Sequence, residues 1–370
     1  MRRFSQIVTD FGWPRIIIFI FLVFMFLSPP LAKLSGVPGL AGVANISLAA
    51  SFSDVLNRFG QNAIFVLALV PMIQSGCGLN FGLSLGILSG LLGATLSIQF
   101  GLHGAAGFFG ALVLASPFSV LFGGAYGKLL NKVKGEEMTI AMYVGFAAVF
   151  FMSIMWLLLP YSAPDMVWGF AGKGLRTTIS VENYWIHILN NFLSITGGDA
   201  AVSPMGVTTY EFLFPTGEIL FVGLAAFLMW VFLRTKTGTA MTAVGSNPDY
   251  ARAGGISVDK MRTVSVIIST FLGAVGILVY EQSFGFIQLY GAPLAMPFAA
   301  IAAILIGGAS VNKASMVNVL VGTFLFQGLL TMTPSVINSA LNSDISEVIR
   351  IIVSQGIILY ALTRKTKVTK

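Results

Sequence analysis

The chain has 370 residues, of which 56% are hydrophobic and 9% charged, and its formal net charge is +7. A soluble domain carries about 25% charged residues, so this chain lacks the polar surface that water demands and suits lipid instead. Its 21 Lys and Arg residues stand in short clusters between apolar runs, a pattern that fits the flanks of membrane spans and excludes a nucleic-acid-binding chain.

A helix crosses a bilayer with about 20 mostly apolar residues. Ten stretches qualify, at about 14–33, 60–79, 81–101, 104–127, 139–160, 213–233, 263–282, 294–310, 314–333 and 345–363. The first follows a basic start, and its apolar run exceeds the roughly 7–15 residues of a secretory signal core; it reads as a retained helix. The second and third share a Gly-rich stretch, "SGCGLNFGLSLGILSGLLGA" at 75–94. Glycine there suits close helix packing. The lone cysteine, Cys77, forms no internal disulfide and reads as a small buried hydrophobe. "KLLNKVKGEEM" at 128–138 reads as a solvated loop between the fourth and fifth spans. Residues 161–212, with Trp168 and Trp185, are expected to hold short helices lying at the interface. The eighth stretch is short and flanked by proline. His103 and His187 stand far apart, and no metal-ligand cluster occurs.

Charge orients the chain. With the N-terminus inside, only Lys33, Arg58, Lys173, Arg176 and Arg350 fall outside, and the other sixteen basic residues face the cytoplasm. Both termini are therefore expected to be cytoplasmic. The expected fold is an all-α polytopic bundle of about ten helices, one membrane domain over residues 1–370. Within it, 60–160 and 263–363 each supply four spans that begin on opposite sides, the arrangement of an inverted repeat. An outer loop at about 161–212 and an inner loop at about 234–262 lie between them.

That inner loop is polar, basic and punctuated by glycine: "GTAMTAVGSNPDYARAGGISVDKMR" at 238–262. Ser246 or Asn247 caps a helix whose first residue is Pro248, where the missing N–H costs nothing. Asp249 meets the positive end of the helix dipole. Gly254 and Gly255 stop it. Ser257 and Asp259 then begin the seventh span. A helix of about two turns is too short to be stable alone, so the segment reads either as a rigid knob for a partner or as a plain connection.

The loop resembles the cytoplasmic loop of permease subunits from bacterial ABC importers, the binding-protein-dependent branch serving simple sugars and nucleosides and related to the branched-chain amino acid systems. Gly238, Ala243, Val244, Gly245, Asn247, Pro248, Ala251, Gly255 and Ile256 match its pattern, and "IGGASVNKASMVNVLVGT" resembles the family's Gly-Gly-x-Ser segment. The likeness covers about residues 60–363. It implies a multi-pass protein of the bacterial plasma (inner) membrane that works with separate ATPase subunits, a second copy or a homologous permease, and an extracellular or periplasmic solute-binding protein. It also implies that Gly245, Ser246, Asn247, Pro248, Asp249, Tyr250, Ala251, Arg252 and Gly254 form the ATPase-coupling segment, with residues 247–254 seated in a cleft of the ATPase. No cofactor is expected on this chain; ATP is used by the partners, since "GGAYGKL" at 123–129 has the wrong spacing for a phosphate loop. The family often has an acidic residue in the Gly-rich segment of span three, where this chain has Asn80, so the likeness does not carry a substrate class.

Polar side chains within apolar runs are the candidates for the pathway. Gln74, Asn80, Gln282, Gln288, Gln327 and the nearby Tyr290 suit a sugar or nucleoside, since amides donate and accept without charge and rings stack on a ligand's face. Hydrogen bonding between helices is the other reading of each. The segment 280–297 is the richest, and its Gly and Pro suggest irregular backbone beside a cavity. Acidic residues are nearly absent from span centres, with Glu218 and Glu281 near outer ends; this weighs against the alternative of an ion-coupled secondary transporter.

Overall fold

The computed structural model describes residues 13–37, 40–168, 174–202 and 208–341, with isolated positions between 348 and 359. It is all-α apart from two small strand pairs. Helix α1 spans Trp13–Ser35, a four-residue α2 spans Ala41–Ala44 and α3 spans Leu48–Gln74. A 3₁₀ turn at Phe81–Leu83 leads into α4, Ser84–Gln99; then come α5, Gly104–Lys132, and α6, Glu137–Leu158. After the segment that follows α6 come α7, Thr216–Leu233, α8, Lys236–Ser246, α9, Pro248–Ala253, and α10, Val258–Phe284. The last continuous helices are α11, Ala292–Ile306, and α12, Met316–Leu341.

Eight helices are long and apolar enough to cross a membrane, and α11 is a shorter apolar one. They meet nine of the ten expected spans; the tenth, 345–363, lies outside the continuously described residues. The second span begins well before the expected residue 60, because Ser47 caps α3 by accepting from Ala50 N at 3.3 Å.

Helices α3, α4 and α10 form the centre, and α3 is buried without a break from Ala63 to Ile73. The periphery is greasy instead of polar: α5, α6 and α7 turn Val113, Phe150, Phe151, Leu224 and Phe227 outward, as lipid rewards. Close approach needs glycine. A Cβ on Gly86 of α4 would stand 2.5 Å from the Thr270 carbonyl oxygen and 3.0 Å from Gly273 Cα on α10. The two halves pack alike. α5 lies on α10 as α12 lies on α3, and α4 lies on α10 as α11 lies on α3. The lengths correspond too: 27, 16 and 29 residues for α3 to α5, against 27, 15 and 26 for α10 to α12.

Two expectations are corrected. The segment after α6 holds no interfacial helix among its described residues. It forms turns, the strand β1 (Thr178–Ser180), and the hairpin β2 (Ile195–Val202) with β3 (Thr208–Phe214). β1 pairs antiparallel with β4, Phe286–Gln288, which follows α10. Thr178, Ile179 and the β-branched residues of β2 favour extended backbone. The loop at 128–138 is not merely solvated. Asn131 Nδ2 donates to the Asp259 carbonyl at 2.8 Å and to Thr263 Oγ1 at 3.0 Å, Lys134 pairs with Asp259 at 3.1 Å, and Glu137 pairs with the buried Arg262. It is strapped to the start of α10.

Candidate functional site

Two features at opposite ends of α3 and α10 stand out. The first is the α8–α9 knob. Thr235 caps α8 by accepting from Gly238 N at 3.2 Å, so a helix precedes the expected one. Asn247, not Ser246, caps α9: its Oδ1 accepts from Asp249 N at 3.1 Å and Tyr250 N at 3.0 Å. Ser246 instead turns its hydroxyl back to the Thr242 carbonyl at 2.9 Å. Pro248 opens the helix, and Arg252 pairs with Asp249 at 3.1 Å on its open face. Gly254 follows as C-cap, and Gly255, at φ 79°, takes the left-handed turn while Ile256 N bonds back to the Ala251 carbonyl at 3.0 Å.

The knob is fastened to the bundle at two points. Ala251 is 2% exposed and packs with Val244 and Val258 of this same chain, so it points inward and is not free to meet a partner's cleft. Tyr250, at 79% exposure, is the outward ring. Gly245 lies against the end of α3: a Cβ there would meet Gly76 N at 2.9 Å, and still more closely the Gln74 carbonyl.

The second feature is a cavity of about 980 Å³ at the other end, at the upper limit for small-molecule sites. The first half of α3 supplies Ser53, Asp54, Asn57, Arg58, Gln61 and Asn62; the turns before β2 supply His187, Asn190 and Asn191. Ser283 and Phe284 end α10, Gln288 ends β4, and Gln327 lies in α12. Amides dominate, with aromatic surface from Tyr280, Phe284 and Phe326. His187 has φ 52° and a buried Nδ1 without a partner, and burial pushes its imidazole below the usual range.

Of the six pathway candidates, Gln288 and Gln327 line this cavity. Gln282 stands behind its wall, donating to Asn190 Oδ1 at 2.8 Å. Tyr290 is half-buried two residues beyond Gln288 and outside the lining. Gln74 and Asn80 lie elsewhere. Gln74 donates to the Ala314 carbonyl near the knob. Asn80 donates to Ser269 Oγ at 2.8 Å and accepts from Tyr126 at 3.2 Å, joining α10 and α5. The α3 stripe 53, 54, 57, 58, 61, 62 straddles the start of the apolar window at residue 60, so hydropathy alone does not join its two parts. Its helical spacing was the available signal. Glu218 and Glu281 do lie near helix ends, and both are fully buried.

Apolar-sided helices around a polar cavity at one end, with a capped knob at the other, define a membrane permease. The chain belongs to the family described as branched-chain amino acid transport system / permease component, which matches residues 51–362. It is similar to the nucleoside ABC transporter permease protein NupB of Lactococcus lactis subsp. cremoris (strain MG1363), with 30% identity over 122 residues, covering 32% of each chain. It is also similar to the autoinducer 2 import system permease protein LsrC of Enterobacter sp. (strain 638), with 26% identity over 294 residues, 78% of this chain and 72% of that protein. The alignment thus spans about a third of the first relative and most of the second. No solved structure matches.

Proposed function

We propose that the chain is the membrane subunit of an ATP-driven importer and forms the path for a small polar solute, a sugar or nucleoside. The single observation that carries this reading is that the knob and the cavity lie at opposite ends of the same two helices. An ATPase subunit grips α9 through its open face, with Tyr250, Asp249 and Arg252 outward. Closure of the ATPase pushes α8 against the end of α3 through Gly245, and pushes α10 through Ala251 and Val258. Both helices end at the cavity, which changes shape or access. ATP is held by the partners. A solute-binding protein loads the cavity, and a second copy or a homologous permease completes the path. The inverted repeat, supported by the matched packing of α3–α5 and α10–α12, supplies alternating access.

The basic-residue bias of the sequence supports a cytoplasmic α9, cytoplasmic termini and a cavity mouth outside, and the permease family supports a bacterial inner membrane. The amide-rich lining suits a neutral ligand, and the names of the two relatives, one a nucleoside ABC transporter permease and the other an autoinducer 2 import system permease, support an importer of small solutes. Tyr250→Ala tests the reading. The variant should insert normally while ATPase co-purification and uptake of labelled ribosides and sugars both fall. Undiminished co-purification and uptake would refute the docking. Uptake by the wild type should stop on ATP depletion and survive collapse of ion gradients.

A further inference from the structure

The cavity wall contains a hydrogen-bond chain with a fixed direction. It begins at a group that can only donate, the Leu189 backbone N–H, which gives its hydrogen to Gln282 Oε1 at 3.1 Å. Gln282 must therefore turn its Nε2 the other way, to Asn190 Oδ1 at 2.8 Å. Asn190 Nδ2 then donates to Ser283 Oγ at 2.9 Å and to Asn57 Oδ1 at 3.3 Å. Ser283 Oγ also accepts from Gln61 Nε2 at 3.0 Å. With both of its lone pairs taken, the hydroxyl has only its hydrogen left, and this points to Glu218 Oε2 at 3.5 Å. Glu218 is fully buried in the first turn of α7, and its Oε1 has no partner. The carboxyl fits there only because its neighbour on α3 is Gly60, where a Cβ would stand 2.7 Å from Glu218 Cδ.

We infer that Glu218 is a positioning residue that sets which polar atoms the cavity shows its ligand. A terminal acceptor at Glu218 keeps the Ser283 hydrogen turned away from the cavity. Ser283 then holds the amide nitrogen of Gln61, while Asn190, already oriented from Leu189 through Gln282, holds the amide oxygen of Asn57. What faces the ligand is the remaining half of each: Gln61 Oε1 as acceptor, and Asn57 Nδ2 as donor one helical turn earlier. Both residues line the cavity. A ligand hydroxyl satisfies either atom, giving a hydrogen to Gln61 and accepting one from Asn57. A ligand lacking one of those hydroxyls leaves an amide unpaired, which is costly away from water. The inference rests on the reading of the cavity as the solute path.

Two variants test it in cells that carry the full transporter: Glu218→Leu removes the acceptor, and Ser283→Ala breaks the chain one link earlier. The probes are adenosine against 2′-deoxyadenosine and 3′-deoxyadenosine, and ribose against 2-deoxyribose. The binding protein is the same in every arm, so a change in preference belongs to this chain. Both variants should lose preference for the hydroxylated probe by about tenfold, the order of one hydrogen bond. Glu218→Gln, which keeps a carbonyl acceptor, should retain it. An unchanged preference in Ser283→Ala, with uptake intact, overturns the inference even if Glu218→Leu fails to fold. If the wild type imports none of the probes, the importer reading for these solutes fails. Infrared spectroscopy of the purified chain labelled with ¹³C-glutamate then decides the inference separately: Ser283→Ala should shift the carboxyl band that Glu218→Leu abolishes. No shift overturns it.

Discussion

The knob and the cavity are built on opposite principles. At the knob, contacts are made by small residues and backbone: Gly245 touches the Gln74–Gly76 turn, and Ala251 sits between Val244 and Val258. Gly245, Ala251 and the backbone of the α3 turn have no side-chain torsion with which to give way, which suits the transmission of force proposed for α9. At the cavity, the contacts are amides and hydroxyls tied by hydrogen bonds, which can exchange partners with a ligand. Stiffness suits force, and exchangeable bonds suit recognition.

The most severe way to break the comparison is Gly245→Val. Its side chain would run into the α3 turn, at an overpacking cost of about 1–3 kcal/mol. The variant should still insert, and uptake should drop to background while any ATPase turnover persists. Normal uptake would show that α8 does not press on α3. Asn247→Ala should be milder. Loss of the cap costs about 1 kcal/mol, visible as faster hydrogen exchange across residues 248–254, with uptake reduced in proportion. A paired change then sharpens the distinction between the scaffold and the wall. Asn80→Ala, which removes a bond between helices, should lower thermal stability by about 0.6 kcal/mol and leave half-saturation of uptake unchanged. Gln327→Ala should do the reverse. Equal shifts in half-saturation from both would erase that distinction. The smallest effect concerns acid. His187 lies in the segment between α6 and α7, and burial lowers its pKa from 6.5, which favours the neutral ring in the folded protein. That contribution is present above pH 6.5 and is lost as pH falls below it. Wild-type melting temperature should therefore fall more steeply between pH 7 and pH 5 than that of His187→Asn, an exchange that tolerates the positive φ.

The sequence discloses the knob far better than the cavity, and the reason is range. Asn247, Pro248, Gly254 and Gly255 act on backbone within a few residues of themselves, so their order in the chain is already their geometry. Even so, the inward turn of Ala251 depends on Val258 and was not legible. The cavity draws on residues near 55, 190, 283 and 327, and no local pattern says that these meet. Span positions were readable from hydropathy, since lipid-facing helices must be apolar along their length. The β1–β4 pair was not, because Thr178 and Gln288 are brought together only by the fold. Gln74 and Asn80 were plausible pathway residues by type; packing assigned them to joining helices.

Helix α7 has 18 residues, about 27 Å of rise, against a hydrocarbon core of about 30 Å. The neighbouring α5 has 29 residues and so has length to spare. In a bilayer of longer acyl chains the shortfall falls on α7, by local thinning of the lipid or by a change of tilt. The first turn of α7 carries Glu218, lodged against Gly60. If Glu218 orders the wall as inferred, membrane thickness gains a hold on the carboxyl that faces Ser283, and lipid composition would bear on which solutes the wall accepts.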